Sequence, residues 1–177
     1  MTGVAIEELD ADPRTVRATV ADLAGVLADC VAGGASVGFM AGFGVADAAL
    51  YFRKVFDDVA SGKIVLLAAR QGNKIVGTVQ LGLDTMPNQP HRADVKKLLV
   101  HRSARNTGVG ERLMRDIERF ARHHERSLLV LDTVTDSAGY RLYERLGWQR
   151  VGVIPDYALL PDGNFCDTTV FYKRIAP

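Results

Sequence analysis

A strand-like run, a glycine loop and a helix follow one another without a break between Val95 and His124, and this arrangement limits what the chain can become. Val95 to Val100 reads as a strand. His101-Arg-Ser-Ala-Arg105-Asn-Thr-Gly108-Val-Gly110 follows, and Val109, Leu113, Ile117, Phe120 and Ala121 then repeat at helical spacing. A helix start leaves its first N–H groups unpaired and carries partial positive charge, so it suits an anion. Glycine at Gly108 and Gly110 lets that anion approach the backbone. A phosphate-bearing ligand is the first expectation. A tight turn and a helix cap would use the same residues. A Walker A loop is excluded because Gly110 is followed by Glu111-Arg112, and a dinucleotide fingerprint because residue 113 is Leu.

The remaining pattern places this unit in a larger sheet. Val4–Leu9 reads as a strand, and Pro13 opens a helix reaching about Val31. Val45–Ala60 reads as a second helix, separated from the first by the apolar, glycine-bearing stretch 33–44. Ile64–Arg70 and Lys74–Leu83 form a hairpin about Gln71-Gly-Asn-Lys. Asp94–Val100 follows, then the helix of about Gly108–His124. Leu128–Leu131 is a buried strand expected to end at Asp132, and Ser137–Leu146 a short helix stopped by Gly147. Trp148–Val153 and Phe165–Lys173 close the order, joined through Pro161-Asp-Gly163. An α/β or α+β mixed sheet, one domain over residues 1–177, is expected.

Composition removes whole classes of function. The 177 residues are 47% hydrophobic and 24% charged, with a formal net charge of +1, which gives no reason to expect nucleic-acid binding. No apolar run approaches the roughly 18 residues of a membrane span, and the N-terminus lacks a signal-like core. Cys30 and Cys166 make no metal spacing and no disulfide framework. A cytoplasmic protein with no metal, no nucleic-acid partner and no membrane partner is expected.

Arg105-Asn-Thr-Gly108-Val-Gly110 after Leu98-Leu-Val100 resembles the acyl-CoA signature of the GNAT N-acetyltransferase superfamily, Gln/Arg-x-x-Gly-x-Gly/Ala. Tyr143-Glu-Arg-Leu-Gly147-Trp148 resembles that family's Tyr-Glu-x-Leu-Gly-Phe segment. More narrowly, segments 33–40, Arg92–Leu98, Leu131–Thr133, and Val151-Gly152 with Pro155–Gly163, are similar to the tabtoxin-resistance acetyltransferases. The resemblance implies the GNAT fold: a central, mostly antiparallel sheet splayed at a cofactor cleft and flanked by helices. It implies acetyl-CoA as co-substrate and transfer of its acetyl group to the amine of a small molecule, an amino-acid-like β-lactam toxin in the resistance-type reading. A protein or peptide amine and a catalytically inactive acyl-CoA sensor are the alternatives. A homodimer is compatible with the resemblance.

The resemblance also implies roles. Backbone groups of Leu98, Leu99 and Val100 would meet the pantetheine, and amides of Asn106, Thr107, Gly108, Val109, Gly110 and Glu111 the pyrophosphate, with Arg105 fixing the loop or adding charge. Asn106 and Thr107 are then free to vary as side chains. Tyr143 would meet the departing sulfur. Asp94 and Asp132 would hold the acceptor amine and help remove its proton, each raising the other's pKa. Phe39 and Met40 would line the acceptor pocket. Asp136 stands where the family has Asn, and together with Ser137 it suits a helix cap instead. The four histidines make no constellation.

Overall fold

The helices start where the local chemistry allows. In a computed structural model, which describes residues 3–176, Asp12 caps α1 (Pro13–Ala32) by accepting the Arg14 amide. Met1, Thr2 and Pro177, at the ends of the expected domain, lie outside the described residues. Asp47 accepts the amide of Gly44 at the start of α2 (Val45–Ala60). Ser137 accepts the Tyr140 amide at the start of α4 (Ala138–Arg145). Asp136 is therefore not the cap: it takes the left-handed turn position before Ser137, at φ 59, and its carbonyl accepts from Arg141. Asp tolerates that region because its short polar side chain bonds locally.

Seven strands form one sheet in the order β1 (Val4–Glu8), β2 (Ile64–Gln71), β3 (Lys74–Gly82), β4 (Arg92–Val100), β5 (Leu128–Val134), β7 (Phe165–Arg174), β6 (Gln149–Leu159). Every pair is antiparallel except β4 with β5. The mostly antiparallel mixed sheet flanked by helices is the expected one. Strand alternation sends Val65, Leu67, Val79 and Leu81 into a core under α3 (Val109–His123) and α4. Leu66 and Ala68 point the other way, against Leu23, Leu27 and Phe52 of α1 and α2. Gly77 lets α3 close on β3: a Cβ there would sit 3.0 Å from the Leu99 carbonyl and 3.1 Å from the Val109 side chain.

Two strands run further than their sequence patterns suggest. β5 continues to Val134, so Asp132 lies inside the strand, opposite Val170 of β7, rather than at its end. Pairing with β7 carries the polar residues along. β6 continues to Leu159 through register shifts after Arg150 and Ile154, which absorb Pro155 and leave the outer edge strand largely exposed.

The parallel pair is where the sheet opens. β4 and β5 are in register only for Arg92–Asp94 against Leu128–Val130. On the other side of β4, the register with β3 shifts between Thr78 and Gln80, beside Lys97, whose φ is 55. The bulge bends β4 away from β5 beyond Asp94. A V-shaped gap follows between Val95–Val100 and the second half of β5.

Candidate active site

The glycine loop forms one mouth of this gap. Gly108 adopts φ 85 as the residue before α3, a region glycine enters without the Cβ penalty. Asn106 adopts φ 60, which makes it less free to vary than the sequence suggests, because few L-residues other than Asn and Asp tolerate it. Thr107 donates to the Ala104 carbonyl at 2.6 Å and ties the loop to the one-turn 3₁₀ helix Arg102–Ala104. Among the described residues, the amides of Asn106 to Glu111 have no protein acceptor, and the first helical bond is Arg112 N–H to the Gly108 carbonyl at 3.1 Å. Six successive unpaired N–H groups at a helix start make an anion cradle that fits a pyrophosphate. The Glu111 carboxylate is drawn to Arg115 at 2.8 Å, one turn on.

Arg105 serves the loop, not the cradle. Its Nε donates to the Val100 carbonyl at 3.1 Å, and its guanidinium lies 3.9 Å from Asp29 of α1. Asp29 is the anchor of this corner: it accepts the Arg102 amide at 2.9 Å, pairs with the Arg102 guanidinium and has His101 Nε2 at 3.6 Å. Burial opposes charge on Asp29, but the Arg102 hydrogen bonds and the neighbouring cations outweigh it and hold the carboxyl below its ordinary value.

Of the three expected pantetheine contacts, the register withdraws Leu99. His101 N–H bonds the Val76 carbonyl and Leu99 pairs with Thr78, so alternation turns the Leu99 groups toward β3. Leu98 and Val100 present theirs to the gap, although the Val100 carbonyl already accepts from Arg105. Beyond Asp94 no described strand pairs with this edge, and an extended amide-bearing ligand can add to it as a strand does.

Tyr143 approaches the gap from α4. It is 6% exposed, packed between Trp148 (ring centroids 5.9 Å apart) and Phe171 (6.0 Å). Burial, and after it the charge of Asp132, push its phenol above the ordinary value. The hydroxyl keeps its proton at neutral pH.

The carboxylates share a face of the sheet, each with a partner of its own. Asp94 pairs with Val130, and Asp132 lies two residues further along β5, so both side chains leave the same side of the sheet. Each has its own partner. Arg92 binds Asp94 at 2.9 Å, and the Thr168 hydroxyl donates to Asp132 at 2.8 Å. Asp94 stands where the strands still pair, and Asp132 stands where they have parted.

The stretch 33–44 roofs this face. Ser36 donates to the Leu159 carbonyl at 2.9 Å and the Ala41 amide to the Pro161 carbonyl at 2.9 Å, latching the segment to the β6–β7 hairpin. Phe39 turns inward, stacked on Phe43 (4.0 Å) and edge-on to Tyr51 (5.4 Å). Met40 does not share that packing and stands 45% exposed. Two residues absent from the sequence-based expectation do belong here. Lys97 donates to the Val37 carbonyl at 2.7 Å beneath the roof, and Tyr51 reaches Gln80. Lys96-Lys97 in the middle of a buried strand was a signal, since two charges there require a break in alternation. Tyr51, inside an ordinary helical pattern, gave none.

Among the described residues, no cluster of His, Cys, Asp and Glu could hold a metal ion, and no helix is long and apolar enough to cross a membrane.

Known proteins share this architecture. A protein of Acinetobacter baylyi described as an acetyltransferase superposes with a TM-score of 0.80, covering 99% of this chain and 94% of that one at 16% identity. A Salmonella typhimurium protein, also described as an acetyltransferase and solved with its cofactor acetyl-CoA, gives 0.77 over 98% and 94% at 15% identity. A ribosomal-protein-alanine N-acetyltransferase from Brucella melitensis gives 0.75 over 97% and 99% at 17% identity. At such identities the likeness is one of fold. The sequence profile described as the acetyltransferase (GNAT) family matches residues 35–148, which spans the roof, the glycine loop and Tyr143. The chain belongs to the acetyltransferase (GNAT) family.

Proposed function

We propose that the chain is an acetyl-CoA-dependent N-acetyltransferase whose acceptor is the amine of a small molecule, of the amino-acid-like kind that the tabtoxin-resistance resemblance implies. The observation that carries the reading is the position of Asp132, at the point where β4 and β5 part, with its charge felt by both Tyr143 and Lys97. The roof, tied to the β6–β7 hairpin at Ser36 and Ala41, covers the acceptor side and so favours a small acceptor over a peptide.

Acetyl-CoA, when bound, supplies an activated thioester. The amides of Asn106 to Glu111 hold its pyrophosphate, and the Leu98 and Val100 edge holds its amide-bearing arm. Asp132 seats the acceptor as a cation: an α-amino group titrates near ~8 and a lysine-like amine near ~10.4, so either arrives protonated at neutral pH. Asp132 then lies within reach of the proton that must leave before attack. Tyr143 donates a hydrogen bond to the sulfur as charge grows on it.

Asp132→Asn keeps the shape and the Thr168 contact and removes the charge. Acceptor kcat/KM is expected to fall by ~10²-fold or more, while acetyl-CoA affinity measured by calorimetry stays nearly unchanged. Asp94→Asn is expected to cost much less, because Arg92 already offsets that charge. Since each carboxylate has its own partner, the double variant should show the product of the single losses. An Asp132→Asn enzyme with wild-type acceptor kinetics would return Asp132 to a purely structural role.

A further inference from the structure

Lys97 is expensive for the fold to keep. Its backbone takes the left-handed region, φ 55, where a Cβ is crowded against the following carbonyl. Its ammonium lies beneath the roof, with one hydrogen bond to the Val37 carbonyl at 2.7 Å and the rings of Phe39 and Tyr51 at 5.6 and 5.9 Å. Among the described residues, no carboxylate lies within ion-pair distance of it or of neighbouring Lys96. Burial first, and Lys96 second, make its proton easier to lose, and only the charge of Asp132 opposes them. Lys97 is half-buried, and a cation drawn partly out of water normally finds a counter-ion within the protein. Lys97 has none, and an ammonium has three donors, of which one is used here.

The acceptor side of the gap therefore carries charges of both signs. Asp132 is a seat for a cation. Lys97, with the charge of exposed Lys96 nearby, is a seat for an anion and repels a molecule that is only cationic. We propose that Lys97 is the acceptor-specificity residue of this enzyme: its ammonium binds a carboxylate carried by the acceptor, so the substrates are amines that bear a free carboxylate. This rests on the gap being the amine-acceptor site. A protein N-terminus or lysine side chain in a peptide offers the amine without that nearby carboxylate, and it meets an unpaired cation under the roof.

The test uses matched probes: glycine, methionine and lysine against glycinamide, methioninamide and lysinamide, with acetyl-CoA and free-thiol release as the readout. The less basic amides would be the better nucleophiles at neutral pH, so basicity alone biases the result against the proposal. The wild type is expected to show kcat/KM at least about tenfold higher for acids than for amides, a difference of ~1.4 kcal/mol. Lys97→Met should bring that ratio to near one by raising KM for the acids far more than for the amides, with acetyl-CoA affinity unchanged. Lys97→Arg, which keeps the charge, should retain most of the preference. A wild type without preference for acids overturns the proposal. So does a folded Lys97→Met that lowers kcat equally for acids and amides, which would place Lys97 at the reacting centre or in loop support. If Lys97→Met fails to fold, the wild-type ratio and the Lys97→Arg variant decide. If no amine releases thiol, calorimetry with the same acids and amides in the presence of CoA separates the two ideas. Acid-selective binding lost in Lys97→Met upholds the role of Lys97 and refutes acetyl transfer, and no acid-selective binding refutes the role of Lys97.

Discussion

Gly108→Asp is expected to abolish acetyl-CoA binding while leaving the chain folded. Gly108 adopts φ 85, and a Cβ there would meet nothing within 4 Å. Asp is among the residues that tolerate the left-handed region, so the backbone strain is at most about 1–2 kcal/mol. The damage comes from charge. The new carboxylate would stand amid the six unpaired amides of Asn106 to Glu111, where it would bind them itself and repel a pyrophosphate. Gly108→Asn separates the causes, since it has the same shape without the charge. It should weaken binding by no more than about tenfold, or ~1.4 kcal/mol. Calorimetry on both variants, with circular dichroism to confirm folding, reads the difference. Wild-type affinity in a folded Gly108→Asp protein would remove the phosphate from this loop.

Tyr143→Phe is expected to lower kcat by ~10²–10³ with little change in acetyl-CoA affinity, the range seen when one preorganised donor to a developing charge is lost. Burial and Asp132 raise the phenol above its ordinary value of ~10, whereas a simple thiol titrates near ~8.5. Complete proton transfer to the sulfur is uphill, and the hydrogen bond is what the phenol contributes. The pH profile follows with its sign. A raised phenol stays protonated past ~10, so Tyr143 produces no alkaline limb in kcat below that pH. The ring contacts with Trp148 and Phe171 survive in the variant, so stability should barely change. A wild-type kcat would mean that Tyr143 only packs.

What the sequence disclosed was largely local. Pro13 after Asp12, Gln71-Gly-Asn-Lys and Pro161-Asp-Gly163 each act within a few residues, and each marks its helix start or turn correctly. Helical stripes placed Leu113 and Ile117 in the core for the same reason. Contacts between distant segments were hidden. Arg105 is turned away from the cradle by Asp29, 76 positions earlier and one helix away. Asp132 looks like a strand end until Val170 of β7 pairs with it. Leu99 looks equivalent to Leu98 until the β3 register assigns its backbone groups. Asp94 and Asp132 share a motif-level resemblance, yet the parallel register ends between them. Lys97 belongs to both classes, because the paired lysines announce a bulge but only the folded chain brings Val37, Phe39 and Tyr51 over it.

The most direct measurement is the fate of the acetyl group. The wild-type chain is mixed with acetyl-CoA and, in turn, small amino acids, other small amines and amine-bearing peptides, and free thiol and acetylated product are followed together by absorbance and mass spectrometry. The account predicts that an amino-acid-like small amine releases thiol well above the hydrolysis background, with one N-acetylated product formed per thiol. Acetyl-CoA that binds tightly but releases no thiol with any amine would contradict it and mark the chain as a sensor. N-acetylated peptides without acetylated small amines would move the acceptor to a protein.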